Sequence, residues 1–65
     1  MIKINGEDRE GFEGVTVSEM LDRLGYKTAY IAVEMNGDIL KKENYPATAL
    51  SDGDKLEVVN FVGGG

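Results

Sequence analysis

The sequence has no cysteine, no histidine and no tryptophan, and a single proline, in 65 residues. Without cysteine there are no disulfides. Without histidine as well, the usual transition-metal ligands are missing, so no metal site is expected. The same two absences remove the commonest nucleophile–base pairs of covalent catalysis. No apolar run approaches the ~20 residues of a membrane span. The opening Met1-Ile2-Lys3-Ile4-Asn5 lacks the layout of a secretory signal. Basic charge is scarce too: seven Lys and Arg face twelve Asp and Glu, a formal net charge of −5. That balance repels nucleic-acid phosphates and anionic membranes, and it favours encounter with a basic protein. The expectation is one soluble, cytoplasmic domain, monomeric when free, with no nucleic acid and no membrane as partner. A chain this short buries only ~60% of its unfolded surface. With no metal or disulfide to help, the apolar core must suffice.

Glycine, by contrast, is abundant, and three of the nine close the sequence as Val62-Gly63-Gly64-Gly65. Glycine loses the most backbone entropy on ordering and brings no side chain to a core. A fold gains little from such a run. A partner enzyme gains more, because bare backbone threads a channel that any Cβ would block. Four extended residues reach about 13 Å, enough to cross the wall of an active site. The alternative is an ordinary frayed end, but those are usually polar and mixed. Here an apolar strand pattern runs straight into pure glycine. The expected division is a folded domain over residues 1–62 and a flexible tail over 63–65.

Local patterns lay out the rest. Ile2 and Ile4 alternate with Lys3 and Asn5, the signature of a half-buried strand, and Asn5-Gly6 marks a two-residue hairpin turn. A short return strand is expected around Arg9 to Glu13. Thr16, with Glu19 three residues on, forms a capping box for a helix over Val17 to Leu24. Val17, Met20, Leu21 and Leu24 make its apolar stripe, and Gly25 its C-terminal cap. Ile31 to Asn36 reads as a central strand, with Ile31, Val33 and Met35 on one face. Asn36-Gly37 turns it into Asp38-Ile39-Leu40. Lys41 to Asn44 reads as a solvated loop, Tyr45-Pro46 as a break with the Tyr45 ring packed beneath, and Leu50 as a plug. Asp52-Gly53 is a turn into the last strand, Lys55 to Val62. The expected core is Val17, Met20 or Leu21, Leu24, Val33, Met35, Leu56 and Val58. Val59 and Phe61 fall on the opposite face. They form a docking patch beside the glycines, pack under a neighbouring loop, or are scattered surface apolars of the common kind.

Two strands, a helix and further strands predict an α+β fold: a mixed sheet of four to five strands with one helix packed across one face. This layout resembles the ubiquitin-like β-grasp. Within it the chain resembles the small sulfur-carrier proteins, most closely those of the thiamine pathway, the ThiS-like carriers. The likeness spans essentially the whole chain. It rests on Met1-Ile2-Lys3-Ile4-Asn5-Gly6, Thr16-Val17-Ser18-Glu19-Met20-Leu21, Ala32-Val33-Glu34-Met35-Asn36-Gly37, Leu50-Ser51-Asp52-Gly53-Asp54-Lys55-Leu56-Glu57 and Val62-Gly63-Gly64-Gly65.

The resemblance implies a protein co-substrate rather than an enzyme. The family's terminal di-glycine falls on Gly64 and Gly65. An E1-like enzyme would adenylate the Gly65 carboxylate with ATP, which the partner consumes; the carrier itself binds no cofactor. A sulfur donor, such as a cysteine desulfurase system, would then leave a thiocarboxylate for thiazole synthase. Val59, Phe61 and Gly63 are the expected partner-binding positions. A molybdopterin-synthase small subunit shares fold, tail and activation chemistry, though such chains are typically longer. Outside the carriers, a noncatalytic β-grasp binding module would carry the tail as an incidental feature. A self-contained enzyme would have to rely on a carboxylate pair such as Asp52 with Asp54, which reads more simply as turn chemistry. The Lys41-Lys42 pair, with Glu43 beside it, reads as solvated rather than as a phosphate site, and no lysine follows the glycines as in a P-loop.

Overall fold

The computed structural model describes residues 1–61. Five strands and one helix follow one another: β1 (Ile2–Ile4), β2 (Glu7–Arg9), α1 (Val17–Arg23), β3 (Ile31–Met35), β4 (Asp38–Leu40) and β5 (Lys55–Asn60). Short 3₁₀ segments, Thr28–Tyr30 and Lys42–Ala47, sit before β3 and after β4. The strand order is β2-β1-β5-β3-β4. Only β1 and β5 run parallel. The last strand thus inserts between the two hairpins and joins them into one sheet. With α1 across one face, this is the ubiquitin-like β-grasp.

Both hairpins turn on Asn-Gly. Asn5 and Gly6 have φ of 52° and 83°, and Asn36 and Gly37 have 53° and 91°. A two-residue turn matching strand twist needs this left-handed pair, which Asn and Gly reach most cheaply. The turn also fixes register, pairing Ile4 with Glu7 and Met35 with Asp38.

Thr16 caps α1 as expected: the Glu19 N–H donates to Thr16 Oγ1 (3.2 Å). The second bond of a capping box is replaced, because Glu19 Oε2 instead accepts from Arg23 Nε (3.1 Å). At the other end the helix stops at Arg23, one residue before the expected Leu24, which is the cap. Gly25 N–H donates to Asp22 O and Tyr26 N–H to Leu21 O, closing a Schellman motif on a glycine at φ 83°.

The core lies between α1 and the sheet. Ile2, Ile4, Val17, Met20, Leu21, Ile31, Val33, Tyr45, Leu50, Leu56 and Val58 are buried, joined by Phe12. Met20 and Leu21 are both buried, while Leu24 and Met35 are only partly so, packed at the rim.

Three further expectations are corrected. The return strand is Glu7–Arg9, not Arg9 to Glu13, because the tight turn starts pairing at Glu7 and β1, which begins at Ile2, offers no partner past Ile2↔Arg9. That frees Phe12 to fold into the core, where the Arg23 guanidinium lies 5.7 Å from its ring centroid and donates to Gly11 O (3.2 Å). The stretch from Lys42 is a 3₁₀ segment that runs through Pro46 rather than breaking there. It delivers Tyr45 to the core, and Thr48 Oγ1 donates to Asn44 O (2.8 Å) behind it. The last strand ends at Asn60, with one more main-chain bond from Phe61 N–H to Tyr30 O (2.8 Å). The expected boundary at residue 62 and the flexible tail of residues 63–65 lie outside the described residues.

Candidate functional site

Strand β5 delivers the glycine segment, and its pleat decides what lies beside it. Successive side chains alternate between faces. Leu56 and Val58 are 0% and 8% exposed beneath α1, whereas Val59 and Phe61 are 54% and 52% exposed. The alternation places both apolar residues on the sheet's uncovered face. Of the readings left open for them, burial under a loop is not what the structure shows; both are surface apolars. Lys42 Nζ lies 5.9 Å from the Phe61 ring centroid, near the outer limit of a cation–π pair.

Cross-strand register fills in the rest of this face. Val59 stands opposite Ala32, Glu57 opposite Glu34, and Glu34 opposite Ile39. Ile39 is 75% exposed, the most open of the large apolar residues described. It belongs with the patch, and the sequence reading missed it. The signal was present: a two-residue turn at Asn36-Gly37 places residue 39 across from Glu34, whose polar side chain already marked the outer face. Glu34 and Glu57 are like charges directly opposed, an arrangement unfavourable to a sheet left alone. They line a shallow depression of about 420 Å³ with Gly37, Lys55 and Val59. The face is therefore apolar at Val59 and Ile39 and acidic between them.

Gly63, Gly64 and Gly65 lie outside the described residues, as does Val62, so the structure brings Val59 and Phe61 together but does not place the glycines. Asp52 and Asp54, the carboxylates weighed for catalysis, are occupied by the turn. Asp52 pairs with the Met1 amino group. Asp54 Oδ2 accepts from Ser51 N–H (2.8 Å) and Oδ1 from Asn36 Nδ2 (3.1 Å). Among the described residues no group of acidic side chains is placed to hold a metal ion, and no helix is long and apolar enough to cross a membrane. Tyr45 is buried in the core. Burial pushes its phenol above the usual range, partly offset by the Val33 backbone.

Comparison with known proteins agrees with this geometry. A model of the ThiS family matches residues 2–65. A sulfur carrier protein ThiS of Bacillus subtilis is 35% identical over 66 residues, covering all of both chains. The crystal structure of a thiamine biosynthesis protein (ThiS) from Geobacter metallireducens superposes with a TM-score of 0.80 at 37% identity, covering 98% of this chain and 97% of that one. A thiazole synthase of Paramagnetospirillum magneticum is 47% identical over 62 residues, 95% of this chain. The chain spans only about a fifth of that relative and of a second thiazole synthase, from Magnetococcus marinus (19% and 20%). A β-grasp with one uncovered apolar face, matched along its whole length and into its glycine run, identifies this chain as a member of the ThiS family.

Proposed function

We propose that this chain is a sulfur carrier of thiamine biosynthesis, a protein co-substrate on which partner enzymes act. One observation carries the reading: an uncovered, half-exposed apolar pair, Val59 and Phe61, immediately precedes Val62-Gly63-Gly64-Gly65. A surface for docking and a side-chain-free segment for insertion then follow each other in one stretch. Ile39 extends the docking surface, and Glu34 and Glu57 favour a partner that is basic there.

The chemistry assigned to Gly65 is acyl activation. A carboxylate is a poor acyl donor. Attack of its oxygen on the α-phosphorus of ATP expels pyrophosphate and leaves an acyl-adenylate with a good leaving group. A persulfide sulfur from a donor such as a cysteine desulfurase system displaces AMP to give an acyl disulfide. A thiol then attacks its S–S bond, forming a disulfide and releasing the thiocarboxylate that supplies thiazole synthase. Gly64 and Gly63 keep the approach free of side chains. An E1-like enzyme binds the ATP, so the carrier needs no cofactor of its own. The thiazole synthase relatives that contain a stretch similar to this chain favour that acceptor over molybdopterin synthase.

The test is ATP–pyrophosphate exchange with an E1-like adenylating enzyme, followed by intact mass analysis after a persulfide donor and a thiol reductant are added. The expected result is exchange that depends on Gly65, then the mass gain of one oxygen replaced by sulfur. Unchanged mass and no exchange would leave a noncatalytic binding module.

A further inference from the structure

The two edges of β5 are unequal. On one side it pairs with β3 along its whole length, from Leu56↔Met35 to Asn60↔Ile31. On the other it pairs with β1 only at Lys3↔Lys55 and Ile4↔Leu56, because β1 ends at Ile4. The last main-chain bond on that side is Asn5 N–H to Leu56 O (2.9 Å). Peptide groups of a strand alternate between its two edges. Phe61 N–H points towards β3, where it reaches Tyr30 O. Val58 and Asn60 therefore turn their N–H and C=O groups towards the edge that β1 has vacated.

A side chain fills the first gap. In a continuing parallel ladder, Val58 N–H would meet the Asn5 carbonyl. The left-handed turn at Asn5 swings that carbonyl away. Asn5 Oδ1 takes its place, accepting from Val58 N–H at 2.6 Å. Asn5 Nδ2 faces Val58 O at 3.4 Å and donates to the Tyr26 hydroxyl at 3.2 Å. A carboxamide is chemically a peptide group, with one acceptor and donors beside it. It thus stands in for the missing peptide of β1, and Tyr26, packed at the core rim, steadies it. Beyond Val58, no such side-chain partner is seen for Asn60 on this edge among the described residues.

We propose that Asn5 is a positioning residue for the glycine segment. Its carboxamide holds the vacated edge of β5 at Val58 and so steadies the end of the strand that precedes residues 62–65 in sequence. The proposal rests on the sulfur-carrier reading for its consequence, though not for the clamp itself. Acyl activation needs the carboxylate carbon placed to better than ~1 Å, where an error of that size costs about a hundredfold. An unsteady strand base degrades that placement without touching the docking face.

Two variants separate this from loss of fold. Asn5→Gly keeps the left-handed turn and deletes the clamp. Asn5→Asp keeps an acceptor for Val58 N–H. Amide hydrogen exchange by NMR on the free protein should show Val58 exchanging at least about tenfold faster in Asn5→Gly, with Val33 as the unchanged control, and within about threefold of wild type in Asn5→Asp. In ATP–pyrophosphate exchange, measured well below each melting temperature, Asn5→Gly should lose about tenfold in kcat with KM within about twofold, and Asn5→Asp should recover most of it. A purely structural role would lower the melting temperature and leave kcat intact. Unchanged Val58 exchange, or wild-type kcat in folded Asn5→Gly, overturns the proposal. No exchange by the wild-type chain would instead overturn the carrier reading, and the positioning role with it, whereas the Val58 result would still report on the clamp.

Discussion

The two faces of β5 differ in what they meet, one the core and the other open surface. Leu56 and Val58 close the core under α1, while one residue away Val59 and Glu57 stand on open sheet. The same six residues thus serve stability on one side and, on the proposed function, recognition on the other. The pleat keeps the two duties apart. Changes on one face should therefore move one property and spare the other.

The largest expected effect is on the covered face. Leu56→Ala should lower stability by about 2–5 kcal/mol, since it leaves a cavity at a position with no exposure. Urea denaturation would measure it. Activation by the fraction still folded should keep a wild-type KM. An unchanged denaturation midpoint would mean that the faces are assigned the wrong way round.

Next comes the glycine segment that β5 delivers. Deleting Gly65 retracts the acyl carbon by roughly 3.5 Å. ATP–pyrophosphate exchange should fall about a hundredfold or more, with thermal melts unchanged. Gly64→Val should be nearly as harmful, because its branched Cβ would collide with a channel shaped for bare backbone. Normal exchange by either variant would break the link between the open face and the glycines.

Phe61→Ala should be milder. It should weaken binding to the activating enzyme by on the order of tenfold, as for an aromatic anchor, while stability shifts by no more than ~0.5 kcal/mol, as for a surface site. A titration of each variant against the enzyme, paired with melts, separates the two. Unfolding with normal binding by the folded fraction would place Phe61 with the core instead.

The smallest effect concerns pH and belongs wholly to the covered side. Burial raises the Tyr45 phenol above its unfolded value of 10.0, so the folded state holds this proton more tightly. Its contribution to stability is fully present below pH 10.0 and is lost as pH rises through the folded value. Denaturation curves should therefore weaken above that pH, and Tyr45→Phe should flatten the decline without altering activation at neutral pH.

Much of this was readable from local pattern. Asn-Gly at both hairpins, Thr16 and Gly25 at the helix ends, and the alternation of Leu56, Val58 and Val59 are short-range signals. The physics behind them, left-handed φ, orphan N–H groups and the two-residue pleat, acts within a few residues. The errors arose where neighbours in space override neighbours in sequence. Phe12 was placed on a strand because nothing local shows that β1 has run out at Ile2. Pro46 looked like a break because nothing local shows that a 3₁₀ segment is held there by a buried Tyr45. Ile39 was overlooked because a three-residue strand is too short to display its own alternation.

The sequence by itself determined the elements, the acidic character and the glycine run with its apolar approach. Those follow from backbone preference and charge, which each residue carries wherever it sits. Only the tertiary structure decided that β5 lies between the two hairpins, that Glu34 opposes Glu57 on an open face, and that Asn5 reaches Val58. These depend on register between strands more than fifty residues apart in sequence for β1 and β5. Such register is set by the joint packing of α1 and the sheet around one small core, which no local stretch encodes.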